Sequence, residues 1–139
     1  MPPFFGGDAM AEILSSYQLF QLRMRINDRD KTLFSDDEIK LVAINHATDS
    51  SGNAITVPDG NYATTSEVIT AVEAALSESP TVDLDLTEAD LLEIILTDPN
   101  KWSNFQAVGV TADRNIDITR YINNRIKTLR NTIKGAELL

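Results

Sequence analysis

Apolar residues recur at intervals of three or four positions along much of the chain, which is the period that places side chains on one face of an α-helix. This pattern predicts a mainly α-helical fold, with about five helices in a small bundle. The first helix is expected to begin near Asp8, as its cap, and to end at about Arg25. Because its predicted apolar face is wide, we expect it to be covered on more than one side. That face contains Ile13, Tyr17, Phe20 and Met24, widened by Leu14, Leu19 and Leu22.

Two capping motifs predict where the second and third helices begin. Ser35 is followed three residues later by Glu38, and Thr64 is followed by Glu67. In each pair, the hydroxyl and the carboxylate can accept hydrogen bonds from backbone amides at the start of the helix. The second helix is expected to end near Thr48. The third is expected to stop at Ser79-Pro80, because proline disfavours helical geometry in the residue before it.

A fourth helix is expected over 88–96, with Thr87 as its cap and Asp98-Pro99 as its end. Its sequence is almost entirely apolar around the helix, which predicts a position at the centre of the core.

The fifth helix combines an apolar stripe with many basic residues. It is expected to begin near Asp113 or Asp117, since acids are favourable at a helix N-terminus, and to run to Lys134 with Gly135 as its C-terminal stop. The stripe consists of Ile118, Ile122, Ile126, Leu129 and Ile133.

The remaining segments predict little regular structure. Residues 1–7 are expected to form an extended arm, whose Phe4 and Phe5 are candidates for a pocket on this chain or on a partner. Segment 49–63 is expected to be an exposed loop with one strand, and 101–112 an irregular loop. Segment 82–86 alternates apolar and acidic residues, as in a short strand or an extended connector. We therefore expect one helical domain over 8–134 and a short C-terminal tail over 135–139.

Charge is unevenly distributed along the chain. The net charge is −9, which argues against non-specific binding of nucleic acid, because an acidic protein repels a polyanion. Residues 1–112 carry 18 acids and 6 bases, whereas 113–139 carry 3 acids and 6 bases. The basic last helix is therefore suited to contact an acidic surface on another copy of the chain.

The residue inventory offers little for catalysis or cofactor binding. The chain has no cysteine and a single histidine, His46, which removes thiol chemistry and metal sites built on paired histidines. Segment 28–32 has acids at alternate positions like the start of a calcium loop, but the later glycine and glutamate positions are Leu33 and Ile39. We expect no enzymatic activity, no cofactor and no membrane segment.

A cluster of acids near the fourth helix and the cations of the fifth are open to more than one interpretation. The acids Asp83, Asp85, Glu88, Asp90 and Glu93 are compatible with a metal cluster, but the absence of a nearby base or histidine in the sequence favours a solvated face. The arginines of the last helix are compatible with nucleic-acid binding. Because a single aromatic residue, Tyr121, and no glycine are interleaved among them, contact with an acidic protein surface is favoured.

Between Arg23 and Ala47, a predicted helix ends in an Ile26-Asn27-Asp28 turn, and a helix capped by Ser35 and Glu38 ends in Ile44-Asn45-His46-Ala47. This order resembles the opening of head–tail adaptor (connector) proteins of tailed bacteriophages. This resemblance implies a helical protomer in a twelve-fold ring beneath the portal protein. Such a ring extends the DNA channel, through which DNA passes without sequence-specific binding, and offers a platform to the next neck or tail protein.

The leading hypothesis is therefore a virion structural protein of the phage neck, synthesised in the host cytoplasm and acting through ring assembly and docking. The alternative is a small acidic helical regulator that binds an enzyme or receptor without forming a ring. The candidate partner-binding residues are Phe4, Phe5, Arg120, Arg125, Lys127 and Arg130.

Overall fold

The computed structural model describes residues 11–106 and 115–138 and confirms a mainly helical fold. It contains six helices and a short two-stranded antiparallel sheet within that part of the chain. In chain order the elements are α1 (Ser16–Arg25), α2 (Asp36–Ile44), β1 (Ala47–Thr48), α3 (Thr65–Ala75), β2 (Thr81–Val82), α4 (Leu84–Thr97), α5 (Pro99–Gln106) and α6 (Asn115–Leu138).

Helix α1 begins later than the sequence predicted. Ser15 caps it, accepting a hydrogen bond from the Gln18 amide at 3.1 Å while the Gln18 side chain accepts one from the Ser15 amide. This capping box fixes the start of the helix. Residues 11–15 are not helical, so the buried Ile13 and Leu14 pack into the core from the segment that precedes α1.

The predicted starts of α2 and α3 are confirmed, because Ser35 with Glu38 and Thr64 with Glu67 form complete capping boxes. The predicted end of α2 near Thr48 was wrong. The helix ends at Ile44, and the residues that follow form β1, in which Ala47 pairs with Val82 and Thr48 with Thr81 of β2.

Helix α4 begins before the predicted cap, Thr87. Asp83 is the cap and accepts a hydrogen bond from the Leu86 amide at 3.0 Å. The Thr87 hydroxyl instead donates to the Asp83 carbonyl at 2.8 Å, a bond within the first turn. The predicted central position of α4 is confirmed, since Leu91 and Ile95 are fully buried and α4 packs against α1, α2, α5 and α6.

The segment expected to be an irregular loop starts instead with helix α5. Pro99 stands at its first position, where a missing amide proton costs nothing. Asp98 precedes it and accepts a hydrogen bond from the Asn100 amide at 2.9 Å. Trp102 and Phe105 stack with 5.9 Å between ring centroids and pack at the edge of the core.

Helix α6 packs along α4 through the predicted apolar stripe, in which Ile122, Ile126 and Leu129 are buried. It continues through Gly135 to Leu138, so Gly135 does not stop it and the expected tail over 135–138 is helical. Among the described helices, none is both long enough and apolar enough to cross a membrane.

Candidate protein-interaction surface

The turn between α1 and α2 is organised around the buried carboxylate of Asp28. Its oxygens accept hydrogen bonds from the amides of Leu33, at 2.9 Å, and Phe34, at 3.0 Å. Arg23 Nη1 lies 2.7 Å from Asp28 Oδ2, and neither side chain is more than 5% exposed. Buried charges are stable only when they are paired and hydrogen-bonded, so this pair joins the end of α1 to the start of α2.

The guanidinium of Arg23 extends the same network into α2. Nη1 also donates to the Phe34 carbonyl at 2.8 Å, and Nη2 donates to Asp36 Oδ1 at 2.6 Å. The hydrogen bond from Arg23 lowers the pKa of Asp36 below its ordinary value, although partial burial opposes the shift. Arg23 Nε is buried without a hydrogen-bond partner in the described part of the chain.

These contacts account for the acids that resemble a calcium loop. Both oxygens of Asp28 are occupied by backbone amides and by Arg23, and Asp30 accepts a hydrogen bond from Thr32 Oγ1 at 3.1 Å. No group of three or more potential metal ligands occurs among the described residues.

The outer side of α1 is an exposed apolar surface, which we call the α1 face and define as Tyr17, Phe20 and Met24. Their exposed fractions are 68%, 57% and 40%. The expectation that this face is covered was therefore wrong, because Leu22 and Ile26 on the opposite side supply the core contacts. Along its flank runs a groove of about 290 Å³, whose apolar walls include Leu19, Phe20 and Met24.

The groove beside the α1 face is lined by charged residues: the ion pair of Arg23 with Asp36 and two further cations. Arg29 and Lys31 line it from the turn between α1 and α2, and both are exposed. Neither forms a salt bridge with any described residue. They were not predicted as partner contacts, because acids and bases alternate in their segment and no net charge marks it. Exposed aromatic residues surrounded by polar groups are typical of protein contact surfaces.

A second polar cluster joins α4 to α6 through Glu88, which is 1% exposed. Arg125 binds its carboxylate with two hydrogen bonds, from Nε at 2.8 Å and from Nη2 at 3.1 Å. Arg25 of α1 approaches it as well, at 3.3 Å. The hydrogen bond to Glu88 raises the pKa of Arg125. Two arginines from different helices therefore converge on one buried acid.

The neighbouring acids of α4 are paired in the same way at the surface. Arg130 Nη2 lies 2.7 Å from Glu93 and 3.0 Å from Asp90, and the bond to Glu93 is the main cause of the raised pKa of Arg130. His46 Nε2 lies 2.7 Å from the other oxygen of Asp90. The expectation that these acids have no basic or histidine companion was therefore wrong, because their partners come from distant parts of the chain.

The candidate partner-binding residues of α6 fall into two groups. Arg125 and Arg130 are engaged with α4, as described above. Arg120 and Lys127 are exposed and form no salt bridge with the described part of the chain, and Tyr121 beside them is 67% exposed. Phe4 and Phe5 of the predicted arm lie outside the described residues.

Acidic residues are concentrated in the middle of the chain, in addition to the concentration of basic residues in the last helix. Segment 41–100 contains eleven acidic residues and no lysine or arginine. Its acids on α4 are neutralised by Arg25, Arg125 and Arg130. Among the rest, Asp59 and Glu78 are exposed and form no salt bridge with described residues. The 49–63 loop and the segment that follows α3 therefore each carry an exposed acid with no salt bridge to a described residue.

Comparison of the chain with models of known protein families, with curated proteins and with solved structures returned no match.

Proposed function

We propose that this chain is a structural protein of the bacteriophage neck, a head–tail adaptor that assembles into a ring. The ring docks onto the portal protein, surrounds the DNA channel and receives the next neck or tail protein. The observation that carries the proposal is the unit formed by α1, the Asp28 turn and α2, which contains the residues that resemble the adaptor family.

The resemblance coincides with a specific structural arrangement. Residues 23–47 contain the buried pair between Arg23 and Asp28, the capping box of Ser35 with Glu38, and the end of α2. Helix caps alone are common in unrelated proteins. In this chain the segment that carries the resemblance is also held by a buried ion pair across the turn between α1 and α2.

The asymmetric surface chemistry supports assembly from identical copies. A closed ring requires that one face of each copy binds a different face of the next. The chain presents an apolar α1 face bordered by Arg29 and Lys31, and it carries the exposed acids Asp59 and Glu78 in a segment without lysine or arginine. Exposed cations and acids on different elements of one protomer favour such a head-to-tail contact.

Helix α6 offers a separate surface for the portal protein. Its apolar stripe and the pairs of Arg125 and Arg130 fix it to α4, while Arg120, Tyr121 and Lys127 remain exposed. We assign the portal contact to Arg120 and Lys127, and we assign Arg125 and Arg130 the role of holding α6 in position. The four basic residues of α6 that the sequence indicated as partner contacts are thereby divided into two pairs with different roles.

The test is light scattering after size-exclusion chromatography, with the protein alone and mixed with the portal protein from the same genome. We expect a ring of about twelve protomers or a discrete complex with the portal. Arg120→Gln with Lys127→Gln is expected to abolish portal binding. The control Ser66→Glu with Thr70→Glu on the exposed side of α3, which changes the net charge by the same amount, is expected to retain it. A monomer or dimer that does not bind the portal protein would favour the alternative function, a small helical regulator of an enzyme or receptor.

A further inference from the structure

We propose that the α1 face and its groove bind the loop over 57–61 of a second copy of this chain. This inference rests on the proposed function, since it names the two surfaces that meet between neighbouring protomers. It concerns a contact between copies, and its experiment is separate from the portal test.

The α1 face has the composition of a binding surface. Phe20 and Met24 remain 57% and 40% exposed although they border a groove with apolar walls. Covering these side chains would remove apolar area from water, which is the main source of association free energy. Aromatic residues and methionine are also enriched at protein interfaces. The acid that lines the groove, Asp36, is paired with Arg23. The cations Arg29 and Lys31 form no salt bridge with described residues, so they favour an occupant that carries negative charge.

The loop over 57–61 matches this surface in apolar character and in charge. Val57 is 40% exposed, and the exposed Asp59 lies two residues further along. The loop is closed by Tyr62, whose hydroxyl donates to the Pro58 carbonyl. A Cβ atom added to Gly60 would lie 3.1 Å from the Tyr62 ring, so the backbone packs tightly on that ring. A loop held in this way loses little conformational entropy on binding.

The charge of the surrounding segment favours the same arrangement. No lysine or arginine occurs anywhere in 41–100, so the loop has no cation on its own segment that would repel Arg29 and Lys31. A symmetric contact between two α1 faces would instead place these cations opposite their own copies, which is unfavourable. The face of one copy therefore meets the loop of another, the geometry that builds a ring.

Disulfide cross-linking tests this contact, because the chain contains no cysteine of its own. Met24→Cys and Asn61→Cys, both at exposed positions, are made as separate full-length variants, mixed in equal amounts and oxidised under mild conditions. A mixture of single-cysteine variants can form a mixed disulfide only between two molecules. We expect the heterodimer to form at least about tenfold faster than in the control mixture of Met24→Cys with Ser103→Cys, whose exposed position lies on α5.

A charge exchange provides a second test, in which cysteine is placed at Val57 so that Asp59 is kept. Adding Arg29→Glu to the Met24→Cys variant replaces the cation opposite Asp59 with an acid. We expect the rate of cross-linking with the Val57→Cys variant to fall about tenfold, because like charges then meet across the contact. In the reverse exchange, Asp59→Arg is added to the Val57→Cys variant. This double variant is expected to cross-link to the Met24→Cys, Arg29→Glu variant at the original rate, because opposite charges meet again.

The outcomes separate this inference from the proposed function. Equal cross-linking in the test and control mixtures would overturn the contact, even if light scattering shows a ring and the portal binds. Selective cross-linking with rescue by the exchanged charges would support the contact, even if the portal does not bind and the adaptor function is rejected. Circular dichroism of each variant verifies that the helices are retained.

Discussion

Arg23 and Asp28 form a buried ion pair across the turn between α1 and α2, with 2.7 Å between Nη1 and Oδ2. The same carboxylate accepts hydrogen bonds from the amides of Leu33 and Phe34. Asn27 and Lys31, on either side of Asp28, have positive φ angles of 59° and 62°. Residues other than glycine adopt this conformation only at a cost of free energy, and the Asp28 hydrogen bonds stabilise the turn that requires it.

Replacing Asp28 is therefore expected to destabilise the protein strongly. Asp28→Ala removes the partner of a buried arginine and the acceptor for two backbone amides, and we expect the free energy of unfolding to fall by about 3–5 kcal/mol. Urea denaturation followed by circular dichroism measures the change. The control is Asp30→Ala at an exposed position of the same turn, where we expect a change within about 0.5 kcal/mol. Similar losses in both variants would contradict this role for Asp28.

The two arginines that fix α6 to α4 are expected to differ in their contributions. Arg125→Met leaves the buried Glu88 without its two shortest hydrogen bonds, and we expect the free energy of unfolding to fall by about 2 kcal/mol. Arg130→Met breaks pairs with partly exposed acids, for which about 1 kcal/mol is the upper limit. Both variants keep an unbranched side chain, so packing along the helix is similar. If urea denaturation shows the same loss of unfolding free energy for both variants, the burial of Glu88 does not explain the contribution of Arg125.

The capping box of α2 is expected to make a measurable contribution to stability. Ser35→Ala removes the acceptor for the Glu38 amide, which lies 3.1 Å from Ser35 Oγ, and we expect a loss of about 1 kcal/mol. Ser66→Ala provides a control in the first turn of α3, where the side chain is exposed. That variant is expected to change stability by less than about 0.5 kcal/mol, because alanine is the most favourable helix residue.

Asp36 is expected to make stability dependent on pH in the acidic range. Its pKa in the folded protein is lowered, chiefly by the hydrogen bond from Arg23. Ionised Asp36 therefore stabilises the fold at neutral pH, and this contribution is lost as the pH falls through the folded-state pKa, below about pH 4. In urea titrations the difference in stability between wild type and Asp36→Asn should shrink between about pH 6 and pH 3. A constant difference would contradict this effect.

Features that depend on neighbouring residues could be predicted from the sequence. Ser35 lies three residues from Glu38 and Thr64 three residues from Glu67, so each capping box closes within one helical turn. The apolar character of 91–96 likewise predicted a central helix, because a helix that is apolar on all sides must be covered on all sides.

Features that depend on competition between distant segments could not be predicted in this way. The apolar spacing of Tyr17, Phe20 and Met24 is typical of a buried helix face, yet the opposite face of α1 occupies the core. Thr87 has the chemistry of a cap, but Asp83, directly after β2, takes that position. Pro99 can end one helix or begin another, and here it begins α5.

The sequence by itself determined the helical class, the capping boxes of α2 and α3 and the segregation of charge, because these follow from short-range spacing and from composition. Only the tertiary structure decided which apolar face remains exposed and which acids and bases are paired. Glu88 lies 63 residues from Arg25 and 37 from Arg125. Side chains so far apart meet only after the helices pack, and their burial then decides which ion pairs stabilise the fold and which charges remain for a partner.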